Sequence, residues 1–229
     1  MRDLRKAGLG ILKVALVVTI GLIMAVGTQA SAAPITITNP SFEDDDVADG
    51  QFTNGLAAGW DTVGTVTGTQ DFSTGQLPPA ATDGEQHAAV SWPDKNGSIS
   101  QLTSHTIAAG ETYTLLVDVG EVNNFSGSQA TIRLFGSTAG IGTALSNANG
   151  TAVLAIVPGS GSYALDQTVT YTALASGDPF EGQDLGVGLF VTSGIQVLFD
   201  NVRLDVVPEP TSLALLGLGG LCVWRRRRR

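Results

Sequence analysis

Cysteine is almost missing from this sequence: the single one, Cys222, lies in an apolar stretch near the C-terminus. No disulfide can staple the rest of the chain, and no cysteine nucleophile or thiolate metal site can form there. Histidine is nearly as scarce, with only His87 and His105. There is no H-E-x-x-H, no G-x-S-x-G and no phosphate-cradling glycine loop. Nineteen central acids contain no pair that stands out as a glycosidase couple. No catalytic residue is assigned, and an enzyme is not expected. Aromatics make up only 6% of the chain, which leaves few rings for stacking against a ligand.

Basic residues are missing from the middle of the chain. Of the 12 lysines and arginines, four fall in residues 1–13 and five at 225–229; only Lys95, Arg133 and Arg203 lie between them. Nineteen of the 21 acids share that central stretch, so three bases against nineteen acids leave a net charge of −16. Such a surface repels phosphate backbones and excludes nucleic acid as a partner. A solvated acidic face is the plain reading, although the charge could also attract divalent cations.

The two ends have a different character. Arg2, Arg5 and Lys6 precede an uncharged stretch over residues 14–26, followed by Ala30-Ser31-Ala32-Ala33-Pro34. A positive n-region, a short apolar run and a small-x-small site make residues 1–33 a secretory signal peptide, cut after Ala32 or Ala33. At the other end Val207-Pro208-Glu209-Pro210 leads into residues 211–224, which carry no charge, and then into Arg225, Arg226, Arg227, Arg228 and Arg229. Fourteen residues rise about 21 Å as a helix, short of the roughly 30 Å hydrocarbon core, so this transmembrane helix is a marginal anchor. The arginines are expected to hold its end on the cytoplasmic side.

A Val-Pro-Glu-Pro motif, a short apolar helix and a terminal arginine run together resemble the PEP-CTERM sorting signal of Gram-negative bacteria. The resemblance covers residues 207–229. It implies processing by exosortase near Pro208–Pro210, transient anchoring in the inner membrane, and a destination at the cell surface or in a polysaccharide-rich biofilm matrix. Export machinery and signal peptidase are the other implied partners.

Residues 34–206 read as strand, turn, strand. Alternating or β-branched segments recur at 35–38, 60–67, 87–92, 98–102, 112–119, 130–135, 152–157, 167–172, 186–191 and 195–206, separated by Gly, Asn, Asp or Pro. With 29 glycines and no long helical periodicity, the expectation is an all-β antiparallel sandwich of eight to ten strands, with a short helical turn in 139–148. Several segments resemble the galactose-binding-like jelly roll of carbohydrate-binding modules. Ile37-Thr38-Asn39-Pro40-Ser41-Phe42-Glu43 with Gly59-Trp60 looks like its opening. Asp83-Gly84 before His87-Ala88-Ala89-Val90 resembles its central turn and strand. Phe199-Asp200-Asn201-Val202-Arg203-Leu204 resembles its closing strand, where the family usually has two consecutive acids and this chain has Asn201 second.

That resemblance implies a structural Ca²⁺ site, with Glu43 and Asp200 at the matching positions. It also implies binding of extracellular polysaccharide. Trp92, before the Pro93 turn, is the candidate platform, with Asn123, Asn124 and Phe125 as a second loop cluster; Trp60 is expected in the core. A purely structural matrix protein without a sugar site is the alternative.

Overall fold

The computed structural model describes residues 30–55, 59–63, 67–71, 80–91, 97–123 and 127–209. Residues Ala32–Val207 form one compact unit. In chain order its strands are β1 (Ala33–Ile35), β2 (Gln51–Asn54), β3 (Asp61–Val63), β4 (Thr67–Asp71), β5 (Gln86–Ser91), β6 (Ser98–Thr106), β7 (Thr112–Glu121) and β8 (Gln129–Ser137). There follow β9 (Thr143–Ala144), β10 (Ser146–Asn147), β11 (Gly150–Thr151), β12 (Val153–Ile156), β13 (Tyr163–Thr172), β14 (Asp184–Ser193) and β15 (Gln196–Val207).

Two antiparallel sheets enclose the core. The first has the order β13-β7-β15-β5-β4-β2, with β1 also paired to β15; the second has β12-β8-β14-β6-β3, with β9 on β8. The first strand and the last are therefore neighbours, the arrangement of a jelly roll. Alternation explains the layers. In β7 the residues Tyr113, Leu115, Val117 and Val119 are fully buried between the sheets, because every second side chain of a strand points the same way. Ile132, Leu134, Val187 and Leu189 meet them from the second sheet, and Val197 and Phe199 of β15 join them from the neighbouring strand of the first. Each such side chain contributes about 1.5–3 kcal/mol by leaving water. Trp60 is in this core as expected, stacked on Phe42 with ring centroids 5.4 Å apart. Its Nε1 donates to the Asn39 carbonyl.

Two expectations about local structure fail. No α-helix occurs among the described residues. The helical turn expected in 139–148 is instead a chain of two-residue strands, because the Leu145 N–H donates to the Leu134 carbonyl and its own carbonyl accepts from the Ala152 N–H while its side chain fills the core. The single strand expected over 60–67 is divided, with β3 in the second sheet and β4 starting at Thr67 in the first. No helix among the described residues is long and apolar enough to cross a membrane. The signal peptide and the residues expected to form the C-terminal helix lie outside the described set, apart from residues 30–33.

Candidate functional site

The face of the first sheet turned away from the core carries an unusual set of residues. Strand registers place Phe52 opposite Gln70, Gln70 opposite His87, and Asp200 opposite Asp118. The next row holds Gly68, Ala89, Leu198, Gly120 and Tyr163. Ala89, Leu198 and Val122 make a small apolar cluster, with Phe52 and Tyr163 packed against it. A side chain at Gly120 would run into the Tyr163 ring, so this glycine lets Tyr163 lie across the sheet towards His87. The His87 and Tyr163 rings meet edge to face, with centroids 6.3 Å apart.

Two polar atoms on this face are buried without a partner among the described residues: His87 Nδ1 and the Tyr163 hydroxyl. Such atoms are costly to leave unmatched. His87 Nε2 lies 3.4 Å from Gln70 Oε1; since that oxygen only accepts, Nε2 carries the proton and Nδ1 presents a lone pair. Burial lowers the His87 pKa to about 4, against the opposing pull of Asp71, so the ring is neutral in ordinary buffers. Burial raises the Tyr163 phenol well above its usual range, and the negative charges of Asp200 and Asp118 push it further. The site therefore offers one neutral acceptor and one hydroxyl.

The acids around it are already engaged. Asp200 is fully buried. Its Oδ2 accepts from the Thr82 N–H at 2.6 Å, the Thr82 hydroxyl at 2.9 Å and the Asp83 N–H at 3.0 Å, while Oδ1 accepts from the Asn201 N–H at 2.7 Å. Burial raises its pKa to about 6, against the pull of those donors. Asp118 joins two bulges, one in β13 between Ala164 and Gln167 and one in β15 between Asp200 and Arg203. Each bulge contains a residue at positive φ, Asp166 at 52° and Asn201 at 50°. Asp118 Oδ1 accepts from the Asp166 N–H at 2.7 Å and Oδ2 from Asn201 Nδ2 at 3.2 Å. Arg203 closes the arrangement through an ion pair to Asp166. The Asn201 side chain thus supplies a donor where a second acid would set two carboxylates together.

The structure brings Glu43 and Asp200 onto the same turn, residues 82–86. Glu43 Oε1 accepts from the Glu85 and Gln86 N–H groups at 2.9 and 2.7 Å, and Oε2 from Gln86 Nε2 at 3.3 Å. Gly84, at φ 80°, lies directly under Glu43, where a side chain would collide with the carboxylate. The carboxylate oxygens of both acids accept N–H or O–H donors. No group of three or more His, Cys, Asp or Glu that could hold a metal ion occurs among the described residues.

The remaining candidates are scattered. Asn123 is exposed just after β7, and its side chain lies against Gly161, two residues before Tyr163. It follows Val122 of the apolar cluster directly in the chain. Trp92, Asn124 and Phe125 lie outside the described residues, as do Pro210 and Arg225–Arg229. Val207 ends β15 and Pro208 and Glu209 follow it. His87, Tyr163, Gln70 and Asp118 are additions from the structure. In the sequence His87 is one position of a strand segment, and only the register across four strands shows which face it shares with Tyr163.

Comparison with known proteins adds two kinds of finding. The profile of the HpiC1-like family, described as HpiC1 cyclase, matches residues 33–205, and the PEP-CTERM protein-sorting motif matches residues 206–229. Among curated proteins none matches. Among solved structures, the Stig cyclase Fisc from Fischerella sp. TAU, in complex with (3Z)-3-(1-methyl-2-pyrrolidinylidene)-3H-indole, superposes with a TM-score of 0.66. It shares 20% identity over 79% of this chain and 100% of that one. At that identity the likeness concerns the fold. TmCBM61 in complex with β-1,4-galactotriose gives 0.43 at 15% identity, over 75% of this chain and 98% of that one. The CBM22-1 xylan-binding domain of Xyn10C from Paenibacillus barcinonensis gives 0.39 at 14%, over 81% and 100%.

Proposed function

The chain belongs to the HpiC1-like family and ends in a PEP-CTERM sorting motif, and from that premise we propose that it delivers a polysaccharide-binding domain to the cell surface or matrix. Sorting through this motif means export, processing by exosortase and a surface or extracellular location. In our reading the signal peptide is removed during export, and the C-terminal helix and arginines anchor the chain in the inner membrane until exosortase acts.

The observation that carries the binding reading is the pair of unpartnered buried atoms on the outer face of the first sheet, His87 Nδ1 and the Tyr163 hydroxyl. A ligand hydroxyl can donate to the imidazole and accept from the phenol, while the half-buried rings of Phe52 and Tyr163, packed on Ala89 and Leu198, cover apolar ring faces. Carbohydrate is the ligand class that combines these features. The family description names a cyclase, and acid–base catalysis needs groups poised to exchange protons near neutral pH. Burial lowers the His87 pKa to about 4 and raises the Tyr163 phenol well above its usual range, so neither is poised. Asp200, raised to about 6, has both oxygens engaged by its own turn, which favours binding over catalysis here.

For Glu43 and Asp200 we favour a clamp on the 82–86 turn over the Ca²⁺ site implied by the jelly-roll resemblance, because backbone amides supply the positive partners of both carboxylates.

The test is a pull-down with neutral and acidic matrix polysaccharides, comparing the domain with its Tyr163→Phe variant. Retention of at least one polysaccharide, weakened in the variant, is expected. Equal retention of both proteins would remove the site from the reading, and no retention at all would leave the purely structural matrix role.

A further inference from the structure

The sorting motif follows the folded domain without a spacer. β15 stays paired through Val207, which lies opposite Thr112 of β7, and Pro208 is the next residue. An enzyme that cuts a peptide grips it extended, with residues on both sides of the cut in its cleft, commonly as an added strand. For a cut within 208–210 the upstream residues are 204–207. One edge of that segment is filled by β7 through Leu115, Thr114, Tyr113 and Thr112. The other is filled by β1, with Ala33 opposite Val206, Pro34 opposite Asp205 and Ile35 opposite Leu204. Along residues 204–206 neither edge is open to an enzyme.

The two covers differ greatly in hold. β7 is a ten-residue strand inside the sheet, whereas β1 has three residues and pairs only with β15. Its middle residue is a proline, which has no N–H and belongs on a sheet margin. Ala33 and Pro34 are exposed, and only Ile35 is buried. A groove of about 340 Å³ at this edge is lined by Pro34, Ile35, Ile37 and Pro40 together with Val202, Arg203, Leu204 and Asp205, so the apolar packing around β1 is incomplete. We propose that exosortase docks by taking the place of β1 along residues 204–207, and that β1 must leave this edge before the sorting motif can be cut. The proposal rests on the exosortase reading, because it names the surface through which that enzyme reaches its motif.

The test locks the strand. In a full-length Cys222→Ser parent, which leaves no other thiol, Pro34→Cys and Asp205→Cys introduce a bridge between directly opposed residues. Expressed with exosortase, the parent is expected to lose its tail, as read by intact mass. The oxidised double variant should retain the tail, and a reductant should restore cutting in the same protein. Oxidised and reduced forms processed at equal rates would overturn the proposal. A parent that keeps its tail would instead refute the sorting reading, so the two failures are distinguishable. The reduced variant is its own control for folding and export.

Discussion

Replacing Asn201 by Asp tests the double-bulge arrangement. Both residues tolerate positive φ, so the backbone at 50° is little affected. The change falls on the side chain, which loses the N–H donated to Asp118 Oδ2 at 3.2 Å and gains a carboxylate beside one that is 2% exposed. A hydrogen bond to a charged group is worth about 1.5–3 kcal/mol, and two neighbouring carboxylates repel in addition. A loss of roughly 2–3 kcal/mol at neutral pH follows, or a fall of about 4–12 °C in Tm for a domain of this size. The repulsion raises the pKa of the introduced carboxyl above its unfolded value near 3.9. Its stability term is therefore fully present below that pH and is lost as pH rises through the folded pKa. The gap to the parent protein should narrow between pH 7 and pH 4 in thermal unfolding followed by circular dichroism. An undiminished gap at pH 4, or none at pH 7, would refute the assignment of Asp118 as the shared acceptor.

Three further outcomes are expected. Tyr163→Phe removes a buried hydroxyl without a partner, so it should raise or leave unchanged the Tm while weakening polysaccharide retention; a lower Tm would mean that the hydroxyl is bonded. The neutral His87, with its pKa lowered to about 4, contributes stability above the unfolded value of 6.5 that is lost as pH falls from there to 4, about 3 kcal/mol in all. The stability difference between the parent and His87→Gln in urea unfolding should shift by that amount between pH 7 and pH 4, and a constant difference would contradict it. Excess EDTA should leave the Tm unchanged, since Glu43 and Asp200 are satisfied by N–H and O–H donors; a fall of several degrees, reversed by Ca²⁺, would place a cation on the 82–86 turn.

Much of this fold can be read from alternation. β6, β7, β8, β14 and β15 are long enough for the two-residue period to show; the structure extends the ends of the first four and shifts β15 by one residue. β13 was legible from Gln167 onward but not from Tyr163, because the extra residue at the Asp166 bulge reverses the alternation there. β2 has no alternating apolar pattern, since only Phe52 of its four residues is apolar. The sorting tail was legible because its information is local, residue after residue. The His87–Tyr163 site was not, because it depends on the registers of β4, β5, β15, β7 and β13 together. Asn201 was visible as a departure from a family pattern, and its purpose emerged only with Asp118 beside it.

The placement of β15 bears on how the protein is made. This strand lies between β7 and the pair β5 and β1, yet it is the last strand of the domain to leave the ribosome. Until residue 207 has cleared the export channel, β7 has no neighbour on that side and the core has no Val197, Phe199 or Leu204. The earlier strands must wait as an open chain, which suits passage through a narrow translocation pore. Closure of the sandwich can then occur only once β15 has followed the other strands out.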